Sequence, residues 1–178
     1  MGDKFPKRKH IRLSNFDYSQ KGYYFITICT YNRQFLFGNI NQGSIKLNKI
    51  GEIIDYTWND LINHNKIKLH NYVIMPDHIH GIIEIPKNDN CRERSTTVPN
   101  TKTYRFGIPE IIRQFKSFSS KRINMFLTQN GYKPFLAGKL WQKSYYEHII
   151  RNEEDFREIS EYIINNPRKW ECKKKGLI

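Results

Sequence analysis

Tyr72-Val73-Ile74-Met75-Pro76-Asp77-His78-Ile79-His80-Gly81-Ile82-Ile83-Glu84-Ile85 reads as two apolar strands joined at a proline turn, the second carrying histidines two residues apart. Side chains alternate across a strand, so His78 and His80 point one way while Ile79, Gly81, Ile83 and Ile85 take the other face. One face can anchor the strand in a core while the other offers two imidazoles to a divalent cation. An isolated His-x-His is more often a hydrogen-bonded structural pair, so its meaning depends on what else reaches that face. Glu84 shares the histidine parity and either orients a ligand or occupies the solvent side.

Upstream, Tyr23 to Tyr31 forms an aromatic-rich strand, followed by a hairpin from Phe35 to Leu47 with Gly38-Asn39 and Gln42-Gly43 as turn signals. Leu47, Ile50, Ile54, Trp58 and Leu61 recur every three to four residues and predict a helix from Asn48 to Asn63 that covers a sheet face. A strand from Ile67 to Met75 leads into the histidine strand. Residues 86–107 form a long polar connection, after which Pro109 suits the first turn of a helix from Ile108 to Phe126. Another strand is expected from Gln142 to Arg151. The last helix opens at Asn152 with a good cap and an acidic first turn, and stops near Pro167. The resulting order, strand-helix-strand-strand-helix-strand plus a terminal helix, fits an α+β fold: a ferredoxin-like antiparallel sheet with packed helices and a C-terminal tyrosine-bearing helix. In that order the histidine strand is central.

The 178 residues hold 30 Lys+Arg against 17 Asp+Glu, a formal charge of +13 that favours a polyanionic partner held through counterion release. With 38% hydrophobic and 14% aromatic residues the chain is too apolar for a disordered basic tail, and its length suits one domain. We expect a basic arm over residues 1–20, a catalytic domain over 21–170 and a basic tail over 171–178. Cys29, Cys91 and Cys172 are odd in number and far apart, which argues against a disulfide framework and a zinc ribbon. No apolar run is long enough to span a bilayer and the first ten residues lack the apolar core of a secretory signal, so a soluble, cytoplasmic protein is expected.

In the last helix Phe156, Ile159 and Ile163 form the apolar stripe, and Tyr162 and Asn166, four residues apart, share one flank. A tyrosine can attack a phosphodiester that a metal has polarised, and an amide oxygen can complete the metal's coordination. The plainer reading is an amphipathic helix with Tyr162 at a boundary. Tyr145 and Tyr146 compete as nucleophiles but point to opposite strand faces, so at most one meets a metal, and neither has a companion like Asn166. His10, His64 and His70 lack partners and read as ordinary polar residues.

Five segments in order, Tyr23-Tyr-Phe-Ile-Thr-Ile-Cys-Thr, Val73-Ile-Met-Pro-Asp-His-Ile-His, Ile111-Ile-Arg-Gln-Phe-Lys, Leu140-Trp-Gln-Lys-Ser-Tyr-Tyr-Glu-His-Ile-Ile-Arg and Tyr162-Ile-Ile-Asn-Asn-Pro, together resemble the single-tyrosine HUH transposases, in particular the REP-associated tyrosine transposase-like proteins. The resemblance covers most of the chain. It implies a metal-dependent nuclease and strand transferase for single-stranded DNA, often folded as a hairpin, working through a 5′-phosphotyrosine link and a free 3′-OH. It further implies Tyr162 as nucleophile, with His78, His80 and Asn166 as metal residues, although some relatives carry the longer glutamine at the last position. Mg²⁺ or Mn²⁺ is the implied ion; imidazoles alone also suit zinc. Some relatives exchange the tyrosine helix, so a homodimer is a possible assembly.

Arg113, Lys116, Ser117, Ser120 and Asn124 share a polar face of the second helix, and with Lys121 and Arg122 they supply candidate DNA contacts, the alternative being a solvated face. Trp170 amid the cations of Arg168 to Lys175 can stack a base. Two other functions compete: a noncatalytic DNA-binding regulator on the same scaffold, and a ferredoxin-like RNA-binding protein. The complete metal and tyrosine set argues against the first, and the absence of an RNP aromatic signature against the second.

Overall fold

The computed structural model describes residues 20–86, 107–136, 138–174 and 176. Residues 1–19 of the basic arm and 87–106 of the long connection lie outside them. Strands β1 (Gly22–Cys29), β4 (Lys68–Met75), β5 (His78–Ile85) and β6 (Tyr146–Ile150) form one sheet in the order β4-β5-β1-β6, with every pairing antiparallel. Helices α1 (Lys49–Asn59) and α3 (Ile108–Gln129) intervene as expected, so this is the ferredoxin-like order with β5 and β1 at the centre. A small separate hairpin, β2 (Gly38–Asn41) with β3 (Ser44–Leu47), is inserted before α1.

Alternation sorts the core onto two faces. Tyr24, Ile26 and Ile28 of β1 and Ile79 and Ile83 of β5 pack beneath Trp58 of α1 and Ile111, Ile112 and Phe115 of α3. The opposite face is smaller: Phe25, Ile82 and Ile150 meet Ile163 of α4 (Glu153–Lys174), with Phe156 and Ile159 alongside. A strand with both faces buried reads as a continuous apolar run, which is why β5 looks apolar apart from its histidines.

Gly81 sits where the Trp58 indole lies against β5; a Cβ there would stand 2.4 Å from Trp58 Cζ2 and 3.1 Å from Tyr72 Cβ. Trp58 is fully buried and cannot swing out. Gly81→Ala is therefore expected to destabilise the fold by about 1–3 kcal/mol, measured by urea denaturation, because an overpacked core must shift backbone or rotamers.

Several boundaries differ from the sequence reading. The helix expected from Asn48 to Asn63 breaks at Asp60, leaving α1 capped by the Asn48 side chain, which accepts from Gly51 N, and a short α2 (Leu61–His64). Gly38-Asn39 is no turn: Gly38 opens β2, where a Cβ would meet Lys46 O at 2.3 Å, and the hairpin turns at Gln42-Gly43, with φ of 51° and 70°. The last strand starts at Tyr146, because the carbonyls of Gln142, Lys143 and Ser144 accept from Lys116 Nζ instead of a neighbouring strand.

The largest difference is α4, which continues through Pro167 to Lys174 and takes in the start of the expected tail. Proline removes one amide donor and crowds the preceding turn, a cost of about 3 kcal/mol in a helix interior. Contacts beyond it hold the helix: Trp170 meets Phe35 edge-on at 5.8 Å between centroids, and Gly43 N donates to Glu171 Oε2 at 2.6 Å. Among the described residues no helix is long and apolar enough to cross a membrane.

Candidate active site

The Pro76-Asp77 turn joins β4 to β5 so tightly that Met75 pairs with His78, and His78 and His80 emerge on the sheet face covered by α4. Both are 6% exposed. In β1, Cys29 pairs with His78 and Thr27 with His80, which sets the Thr27 hydroxyl 2.8 Å from His80 Nδ1.

Each imidazole is oriented through its far nitrogen. Asp77 Oδ1 lies 2.5 Å from His78 Nδ1; a carboxylate only accepts, so Nδ1 carries a proton, and in the neutral ring Nε2 is left as a bare lone pair. Asp77 is itself held at Oδ2 by Arg33 Nε, 2.9 Å away. Arg33 reaches back from a short turn, Tyr31–Arg33, in which Asn32 and Arg33 both take left-handed φ values of 53° and 56°. His78 Nε2 and His80 Nε2 face each other at 3.0 Å. Thr27 can donate or accept, so His80 has two satisfactory tautomers. With Nε2 protonated it donates to His78; with Nδ1 protonated and donating to Thr27, two lone pairs converge, as a shared cation requires.

Burial chiefly, with His78 and Arg33 adding and Asp77 opposing, lowers the His80 pKa from 6.5 to about 3. The imidazole is thus neutral, as a metal ligand must be, across the neutral and mildly acidic range. The unfolded chain takes up this proton near pH 6.5 and the folded protein only near 3, so the site costs nothing above pH 6.5 and destabilises as the pH falls between those values. Thermal melts at graded pH are expected to show that decline, with a slope of up to about 1.4 kcal/mol per pH unit from this one proton, and a shallower decline in His80→Gln.

From the other side α4 brings Tyr162, whose hydroxyl lies 3.4 Å from His80 Nε2 and whose ring meets His80 and Phe25 edge-on at 5.3 and 6.1 Å. Tyr162 is 40% exposed and Asn166, one turn on, is buried. A cleft of about 300 Å³ lies between sheet and helix, lined by Thr27, Arg33, His78, His80, Tyr162, Asn166, Lys169, Trp170 and Lys173. Three of these are cations and none is a carboxylate, so the cleft suits an anion. Helix α4 is fixed at both ends, by Asp155 against His148 Nε2 at 2.9 Å and by Glu171 against Gly43 N.

All four residues expected at the metal and the nucleophile thus share one cleft within one chain. Among the described residues no three His, Cys, Asp or Glu side chains cluster for a metal, and the histidine pair shares its cleft with the Asn166 amide. The candidate DNA contacts of α3 are not brought there, since α3 packs on the opposite sheet face. Arg113 pairs with Glu110 at 2.6 Å, Lys116 holds the 142–144 carbonyls, and Ser120 donates to Lys116 O. Arg122 meets Asp60 at 2.5 Å and the Tyr56 ring at 4.8 Å. Asp60 is held at about pKa 2 by Asn63 and Arg122. Ser117 and Ser120 line a separate groove with Lys143, and Lys121 is exposed.

Of the competing tyrosines, Tyr146 faces the α4 side, 6.3 Å from Phe25, whereas Tyr145 packs against the other core. Glu84 orients no histidine of the pair; it accepts from Lys68 and meets His70 Nε2 at 2.8 Å. The orienting groups are Asp77, Thr27 and Arg33, which sequence reasoning missed. Thr27 was within reach, because it shares a strand face with Phe25, but the other two depend on turns that no periodicity reports.

A family model described as "Transposase IS200 like" matches residues 100–166, ending at Asn166. An uncharacterized protein of Haemophilus influenzae is 37% identical over 175 residues, covering 92% of this chain and 90% of its own length. A second protein of that organism, provisionally named a REP-associated tyrosine transposase, is 27% identical over 161 residues, covering 88% of this chain and 77% of that one. A solved structure of a REP-associated tyrosine transposase bound to a REP hairpin superposes with a TM-score of 0.57 at 20% identity, over 89% of this chain and 73% of that one, a likeness of fold.

Proposed function

Since the chain belongs to the IS200-like transposase family, we propose that it is a metal-dependent endonuclease and strand transferase for single-stranded DNA, with Tyr162 as its nucleophile. The observation that carries this reading is the approach of Tyr162 Oη to 3.4 Å from His80 Nε2 at the wall of a cationic cleft. The bound REP hairpin of the structural neighbour supports DNA, folded as a hairpin, as the substrate class.

The residues present suit a divalent cation, because both imidazoles can turn bare Nε2 atoms toward one point while Asp77 and Thr27 hold their far nitrogens. His78 and His80, with Asn166, would hold Mg²⁺ or Mn²⁺, which when bound withdraws charge from the scissile phosphate. Lys169 and Lys173 attract the phosphate backbone into the cleft, and Phe25 and His80 meet the Tyr162 ring edge-on and hold its hydroxyl beside the histidine pair. Attack forms the Tyr162 Oη–phosphorus bond and breaks the bond from phosphorus to the 3′-oxygen, which takes up the proton lost from the phenol. A 3′-OH attacking that 5′-phosphotyrosine reverses the step and restores the phenol, so cutting and joining use one set of groups. All of these groups come from a single chain, which supports a site completed in cis.

The test is to incubate the protein with end-labelled single-stranded hairpin DNA and Mg²⁺ or Mn²⁺ and separate the products under denaturing conditions. A protein–DNA adduct that survives denaturation and releases DNA on proteolysis is expected. Tight binding with no adduct across many hairpins would instead assign the chain to noncatalytic DNA binding.

A further inference from the structure

Beyond the nucleophile, α4 continues to present one face to the cleft. Tyr162, Asn166, Lys169 and Lys173 follow at steps of four, three and four residues, which at about 100° per residue confines them to a narrow stripe running about 16 Å along the axis. Their side chains line the same cleft as Trp170. Lys169 Nζ lies 5.9 Å from the centroid of the Tyr162 ring, and neither Lys169 nor Lys173 meets a carboxylate among the described residues, in contrast to Arg113 and Arg122 on α3. The Trp170 ring is held in place by Phe35, and Lys174 Nζ lies 5.1 Å from its centroid. The stripe exists only because the helix passes through Pro167.

We propose that the last two turns of α4 form the seat for the strand flanking the cleaved phosphate, with Lys169 and Lys173 taking successive backbone phosphates and Trp170 offering its ring to a base. The proposal rests on the single-stranded DNA reading above and adds to it the direction in which the strand leaves the nucleophile. Lysine-to-phosphate contacts release counterions and are read as a salt slope, whereas a stacked base contributes affinity that salt hardly changes.

The experiment measures binding of an unstructured, fluorescently labelled single-stranded oligonucleotide to full-length Tyr162→Phe protein by anisotropy. It is run in EDTA from about 50 to about 300 mM salt, a range over which phosphate contacts weaken strongly. Adding Lys169→Ala and Lys173→Ala is expected to reduce the slope of log affinity against log salt by about 1.4, or about 0.7 for each phosphate no longer neutralised. Lys169→Arg with Lys173→Arg is expected to restore it. Trp170→Ala is expected to lower affinity about tenfold with the slope unchanged. Circular dichroism melts identify any variant that fails to fold, and for Trp170 the Phe variant then takes its place. An unchanged slope in the folded double-alanine protein overturns the proposal, as does an equal loss in Lys121→Ala on α3. Failure of the wild-type protein to form an adduct would count against the nuclease reading while leaving the slope result to stand or fall separately.

Discussion

Tyr162→Phe is expected to abolish the denaturation-resistant adduct, by more than about 10³-fold, while DNA binding and thermal stability stay near those of the parent protein. The change removes one oxygen. The ring that meets Phe25 and His80 edge-on remains, and the 3.4 Å approach of the hydroxyl to His80 Nε2 is too long to contribute much as a hydrogen bond. Loss of adduct without loss of stability therefore isolates the nucleophile from its packing. Tyr146→Phe is the necessary companion, because Tyr146 is exposed on the same sheet face. An adduct that persists in Tyr162→Phe and disappears in Tyr146→Phe would move the attacking group to β6.

Replacing both histidines, His78→Ala with His80→Ala, is expected to remove divalent-ion binding, measured by calorimetric titration with Mn²⁺, and with it all adduct formation. Each imidazole alone is a weak ligand; the pair is effective because the fold holds both nitrogens 3.0 Å apart. Asp77→Asn should give a graded result, with Mn²⁺ affinity about 10–100-fold weaker, because the amide can no longer fix the His78 tautomer by accepting alone. If Mn²⁺ binding were unchanged in the double variant, the histidines would be a structural pair and the metal-dependent reading would fail.

Most of the scaffold is legible in residues 72–85. Period-two alternation there puts His78 and His80 on one face and Ile79, Ile83 and Ile85 on the other, and the sheet keeps that arrangement, with Ile82 joining the histidine face and β5 pairing residue for residue with β1 and with Tyr72 to Met75 of β4. The four-residue step from Tyr162 to Asn166 is equally local and survives in the structure. What stays hidden is whatever depends on contact between distant segments. Asp77 reads as a turn residue until its carboxylate is seen folded back on the next ring. Arg33 carries no periodic signal, since it reaches Asp77 only from two successive left-handed residues. The basic residues of α3 lie away from the cleft, because helical spacing shows which residues share a side and not which sheet face the helix covers. The expected stop at Pro167 fails because propensity is a local cost, and Phe35 and Gly43, far upstream, supply the contacts that overcome it.

The inserted β2–β3 hairpin looks incidental to the sheet, yet it grips the far end of α4 while His148 grips the near one. These two distant ties set how α4 lies across the sheet, so cutting either one, as in Glu171→Gln or Asp155→Asn, is expected to loosen the approach of Tyr162 to His80 without touching a residue of the cleft's histidine pair.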